Sequence, residues 1–202
     1  MGLKVWLPLN GDLENLGTSN ITFSGTPTWR NSGKIGNSAY NLSARVNFNC
    51  PSLADIKCFS IAFWGMIEAN ADSTANWMDV LSFTDKSTGG TIGYFRFETG
   101  YGSTAYGGIH WHDNTTNAII SGSYTYNNAS EYGKWHHIVV TVSETALCSY
   151  YDGELKSTLT ANLGGGSLTG AGWIGESTTR GGIQDIRVYD HCLSAAEVKE
   201  IS

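Results

Sequence analysis

Phe59-Ser60-Ile61-Ala62-Phe63-Trp64-Gly65-Met66-Ile67 is the stretch that decides the fold class. Phe59, Ile61, Phe63 and Ile67 recur at the two-residue period of a β-strand and share one face. Similar alternation runs through residues 91–97, 108–112, 136–142 and 183–189. Turn-forming residues separate these runs: Asn10-Gly11-Asp12, residues 87–90, Asp113-Asn114, Asp152-Gly153 and Gly164-Gly165-Gly166. Asp152-Gly153 predicts a tight hairpin, because both central residues of a type I′ turn need positive φ. Many short strands with regular turns predict an all-β sandwich of two antiparallel sheets.

One short C-terminal helix is also legible. Ser194 can cap it and Glu197 can complete a capping box, which predicts a helix over residues 195–200. Val198 and Ile201 would then cover one end of the sandwich. No internal repeat or linker interrupts the pattern, so residues 1–202 read as one domain.

Composition narrows the function. The 202 residues are 41% hydrophobic, 12% aromatic and 15% charged, which excludes intrinsic disorder. A formal net charge of −6 argues against a nucleic-acid binder, whose electrostatics need a basic face. No apolar run approaches the ~20 residues that span a bilayer, so no membrane insertion is expected. The opening Met1-Gly-Leu-Lys-Val-Trp6 lacks a basic region followed by an apolar stretch, so the expectation is cytoplasmic synthesis without a signal peptide. Cys50, Cys58, Cys148 and Cys192 form no zinc-binding spacing. They read as reduced thiols, with a Cys50–Cys58 disulfide open in an oxidising setting.

Five blocks in order resemble the laminin-G-like branch of the concanavalin A-like lectin/glucanase superfamily. They are Val5-Trp-Leu-Pro-Leu-Asn-Gly-Asp12, Gly33-Lys-Ile-Gly-Asn-Ser-Ala-Tyr40 and the Phe59 strand. Lys134-Trp-His-His-Ile-Val-Val-Thr141 with Tyr150-Tyr-Asp-Gly153 is similar to the family's hairpin. Gly182-Ile-Gln-Asp-Ile-Arg-Val-Tyr-Asp190 with Leu193-Ser-Ala-Ala-Glu197 is similar to its closing signature. The resemblance implies a concanavalin A-like jelly roll whose first and last strands pair. It also implies a binding module, of the kind found in bacteriophage and prophage structural or adhesion proteins. The expected setting is a virion or an extracellular surface, with other virion proteins as partners and a homo-oligomer as one arrangement.

Candidate sites follow from chemistry. Retaining glycoside hydrolysis needs two carboxyls about 5 Å apart, and the E-x-D-x-E-like run of glucanase relatives is missing. Glu68 and Asp72 have the wrong spacing and Glu98 is alone, so no enzyme is expected. A sugar site combines exposed aromatic faces with polar donors. Tyr101, Tyr106, Trp111, Tyr124 and Tyr126 interleave with Asn114, and Trp77 adds a ring in polar surroundings, as does Trp29. These residues nominate a carbohydrate or cell-surface polymer as ligand; the alternative is that half of the rings are core. A purely structural decoration or oligomerisation module would use the same aromatics as a protein interface. His110 and His112 share a strand face but lack further metal ligands. Calcium is common among relatives, and Asp12 and Asp185 are the positions where it would be sought. Asp185 and Arg187, two apart, suit an ion pair with a neighbouring strand, and the Trp135-His136-His137 imidazoles suit local hydrogen bonds.

Overall fold

The computed structural model of the chain describes residues 2–68, 77–83, 94–100, 107–112, 119–124, 131–160, 168–177 and 179–202. In chain order the strands begin with β1 (Leu3–Leu7), β2 (Thr22–Ser24), β3 (Trp29–Arg30), β4 (Ala39–Asn41) and β5 (Val46–Asn49). Next come β6 (Phe59–Ile67), β7 (Trp77–Phe83), β8 (Tyr94–Gly100), β9 (Gly107–His112) and β10 (Ile119–Tyr124). The series closes with β11 (His136–Val142), β12 (Ala146–Tyr151), β13 (Glu154–Thr160), β14 (Ala171–Ile174) and β15 (Gly181–Tyr189), followed by helix α1 (Ala195–Ile201).

These strands form two antiparallel sheets. The first has the order β13-β12-β11-β6-β15-β4-β3, with β1 also paired to β15; the second runs β10-β9-β8-β7-β14-β5-β2. The pairing of β1 with β15 joins the two ends of the chain, as the resemblance implies. Gly2 N–H donates to Asp190 at 3.0 Å and Lys4 Nζ lies 3.1 Å from the same carboxylate, which ties the junction down.

Alternation explains the core. Phe59, Ile61 and Phe63 of β6 meet Val142, Val140 and Ile138 of β11 in register, and all six face the second sheet. Val46, Phe48, Leu81, Phe83 and Ile174 close the core from the other side. The sequence assigns β6 one apolar face, yet both faces are covered. Ser60 and Ala62, which alternate with the core residues and point the other way, are each 0% exposed.

The reason lies in α1. Ser194 Oγ accepts from Glu197 N–H, and the Glu197 carboxylate accepts from Ser194 N–H at 2.8 Å, so the predicted capping box forms. Val198 and Leu193 then pack on Ala62, Val139 and Tyr150. The helix therefore lies on the outer face of the first sheet, not across the end of the sandwich. Val139 pairs with Ala62 in register, and these short outward side chains leave room for it.

The hairpin between β12 and β13 is the two-residue turn expected from Asp152-Gly153, with φ of 50° and 78°. Pairing between β6 and β15 shifts between Gln184 and Arg187, and Asp185 takes φ 55°. This bulge lets Ile183, Ile186 and Val188 all reach the core. All four cysteine thiols are free, so Cys50 and Cys58 are not bridged.

Candidate functional site

One row of the first sheet's outer face carries three side chains that frame the candidate site. Gln184, Trp64 and His137 stand opposite one another across β15, β6 and β11. Trp64 falls out of phase with Phe63, which is why it points away from the core. Its two neighbours are each committed to another element.

Gln184 fastens a loop. Its amide oxygen accepts from Lys34 N–H at 2.9 Å and Ile35 N–H at 3.0 Å. Its amide nitrogen donates to Ile35 O at 2.6 Å and Ser38 O at 2.7 Å. Both donors and both acceptor sites of this buried amide are satisfied. The loop is thereby laid over the sheet, and Lys34 Nζ sits 4.5 Å from the centre of the Trp64 ring.

On the opposite side, the His137 ring lies 5.1 Å from the Trp64 ring, and its Nδ1 is 2.9 Å from Ser202 Oγ at the end of α1. Burial holds this imidazole down at about 4, so it is neutral at pH 7. His136 Nδ1 is 2.8 Å from Asp152 Oδ2, while Asp152 Oδ1 accepts from His137 N–H at 2.8 Å. Glu131 Oε2 lies 3.1 Å from His136 Nε2. The His136 ring is thus bonded within its own hairpin, as its sequence context suggests, whereas the His137 ring reaches the C-terminal Ser202 instead. Asp152 ties the β12–β13 turn to the His136 ring and to the His137 N–H beside the row.

Between loop, turn and helix lies an open cleft of about 630 Å³. That is within the ~300–1,000 Å³ range of small-ligand sites. Trp64 and Trp135 supply apolar surface, and Lys34, Lys134, Lys199 and Asp152 supply charge. Trp135 rests on Gly182, where a Cβ would stand 2.8 Å from its ring, so the indole needs glycine beneath it. A second hollow, of about 310 Å³, lies at the rim beside Glu68 and Arg180; Glu68 is held there by Arg30.

The sequence-nominated residues fare unevenly. Tyr101, Tyr106, Asn114 and Tyr126 lie outside the described residues. Trp77 opens β7 opposite Gly100, Trp111 lies in β9 between Phe95 and Ile120, and Tyr124 ends β10 opposite Gly107. All three therefore belong to the second sheet, away from the Trp64 row. Trp29 is no exposed platform: it packs edge-on against Tyr40 at 5.7 Å, at the border of the core.

The two calcium candidates sit in different settings. Asp12 is exposed and accepts from Glu14 N–H at 3.1 Å. Asp185 is buried, and both its oxygens are engaged: Oδ1 by Trp6 Nε1 at 2.7 Å and Arg187 Nε at 3.1 Å, Oδ2 by Arg187 Nη2 at 2.8 Å. The Arg187 pair therefore closes within its own strand, with Trp6 as the neighbouring-strand partner. Among the described residues no group of three or more His, Cys, Asp or Glu side chains is placed to hold a metal ion.

Comparison with known proteins places this architecture. The sequence model Laminin_G_3, described as Concanavalin A-like lectin/glucanases superfamily, matches residues 16–199. A search of curated protein sequences found no match. Among solved structures, the binding domain of botulinum neurotoxin serotype D superposes with a TM-score of 0.79 at 14% identity, over 99% of this chain and 50% of that one. The serotype D ligand binding domain in complex with N-acetylneuraminic acid gives 0.77 at 15% identity, with coverage of 99% and 50%. The chain thus spans about half the length of these toxin domains. Domain 4 of AbnA, a GH43 extracellular arabinanase from Geobacillus stearothermophilus, in complex with arabinotriose, gives 0.71 at 17% identity and covers 99% of this chain and 98% of that one. At these identities the likeness is one of fold.

Proposed function

The chain belongs to the concanavalin A-like lectin/glucanases superfamily, and on that premise we propose that it is a non-catalytic module that binds carbohydrate. The observation that carries this reading is the open cleft lined by Trp64 and Trp135, where indole surface lies among polar and charged side chains. Sugars present apolar C–H faces ringed by hydroxyls, and that combination suits them. The complexes of similar folds with N-acetylneuraminic acid and arabinotriose lend support from outside the chain. The aromatic set around Tyr101, Tyr106, Trp111, Asn114, Tyr124 and Tyr126, with Trp77, is a second place for a sugar.

A shallow site of this kind binds near millimolar, about −4 kcal/mol. Display in many copies raises avidity by about 10²–10⁴. We place the module on a phage particle, as a fibre, tail or capsid decoration that attaches to the host surface beside other virion proteins. The sequence resemblance to phage and prophage modules supports that setting.

The test is a glycan array probed with the chain tetramerised through a biotin tag, alongside Trp64→Ala and a Tyr106→Ala/Trp111→Ala/Tyr126→Ala variant. Signal lost in either variant while the thermal transition is kept assigns the site. A blank array with a stable homo-oligomer in sedimentation would replace this reading with a structural decoration module. Cleavage of a bound glycan would replace it with an enzyme.

A further inference from the structure

The charges around the Trp64 cleft are not evenly matched. Asp152 is bonded to His136 and to the His137 N–H. Glu154 is paired with Lys156 at 2.6 Å, which also holds its carboxyl below the usual range. Lys134 lies 3.4 Å from Glu131. Lys34 and Lys199 have no carboxylate partner among the described residues, although the chain carries a net charge of −6. A neutral sugar would leave both ammonium groups unanswered.

Lys34 is also held in place. Gln184 bonds its backbone N–H, and its ammonium group lies over the Trp64 ring. A cation fixed on an aromatic floor meets a ligand that is flat and apolar on one side and anionic at its edge. An acidic peptide would satisfy the cations but gain little from two indoles; a uronic acid ring satisfies both. Resting on the carbohydrate-binding reading above, we propose that this cleft takes a carboxylated saccharide, with Lys34, seated over Trp64, and Lys199 meeting the carboxylate and Trp135 the sugar ring.

The experiment is an NMR titration of the whole chain with tetrasaccharides of galacturonate, mannuronate and glucuronate, each beside its carboxyl-reduced neutral form. The expected result is that at least one acid shifts the Trp64 indole N–H and binds about tenfold more tightly than its neutral counterpart, the worth of one charge-assisted contact. Lys34→Met/Lys199→Met should remove that preference with the thermal transition unchanged, and Lys34→Arg/Lys199→Arg should restore it. Equal binding of acid and neutral forms, or a preference untouched by the double Met variant, overturns the proposal. Neutral glycans bound on the array without any preference for acids overturn it while leaving the module reading intact. No saccharide bound at all overturns both.

Discussion

Asp185 and Arg187, two residues apart on β15, form a two-point ion pair, with Nε–Oδ1 at 3.1 Å and Nη2–Oδ2 at 2.8 Å. The bulge makes this possible, since it turns both side chains to the outer face beside Trp6. The pair is a structural device. Its acid is buried and its guanidinium is mostly covered, with 6% and 23% of the side chains exposed.

Removing the acid alone leaves a covered cation and an indole N–H without their acceptor. Asp185→Ala should therefore lower the unfolding free energy by about 3–5 kcal/mol, the usual cost of breaking such a pair. Alanine also sits poorly at φ 55°. Asp185→Asn tolerates that backbone and keeps an acceptor for Trp6, so it should lose clearly less. Urea denaturation of the two variants checks this, and equal losses would remove the ion pair from the account.

His137 sets an acid limit on stability. Burial holds it at about 4, against an ordinary value near 6.5, with Asp185 and Asp152 pulling it up and Arg187 down. Below pH 6.5 the unfolded chain takes up a proton that the folded chain refuses. The contribution is whole above 6.5 and is lost as pH falls towards 4, amounting to about 3 kcal/mol. Urea midpoints measured from pH 7 to 4 should fall through that window, and His137→Gln should flatten the fall. A variant with the same slope as the parent would refute the assignment.

The thiols should differ in reactivity. Burial, reinforced by the neighbouring Cys58 thiol, pushes Cys192 up to about 12, and its Sγ donates to Val142 O at 3.0 Å. Cys50 is fully buried, whereas Cys58 is exposed. Iodoacetamide at pH 8 should label Cys58 well before Cys192 and Cys50, because only thiolate reacts. Peptide mapping reads the order, and urea should abolish it.

Much of the fold is visible in the residues themselves. The alternation of Phe59, Ile61, Phe63 and Ile67, the Asp152-Gly153 turn and the Ser194–Glu197 cap are local signals, and each appears where the sequence puts it. The site is less legible. Trp64 betrays its outward direction by parity, but nothing local says that Lys34, thirty residues earlier, will be carried onto it. That contact depends on Gln184, a further hundred and twenty residues along, and on a row that exists only once β6, β11 and β15 pair. The position of α1 escapes local reading for a similar reason: its apolar face is plain, but the outward patch of Ala62 and Val139 forms only in the sheet.

Gln184 accordingly offers the sharpest link between stability and binding. Its amide makes four hydrogen bonds to three residues of the 33–38 loop. Gln184→Leu preserves volume but strands two N–H and two C=O groups, each costing about 1–3 kcal/mol if it stays buried. The loop can escape part of that cost by lifting into water, so the expected net loss is about 2–4 kcal/mol. Lifting would also carry Lys34 off the Trp64 ring. Hydrogen exchange should therefore speed up at the Lys34 and Ile35 amides ahead of the β6 amides, and any preference for acidic saccharides should weaken with it. Unchanged exchange at Lys34 and Ile35 would mean that the loop is held by something other than this one side chain.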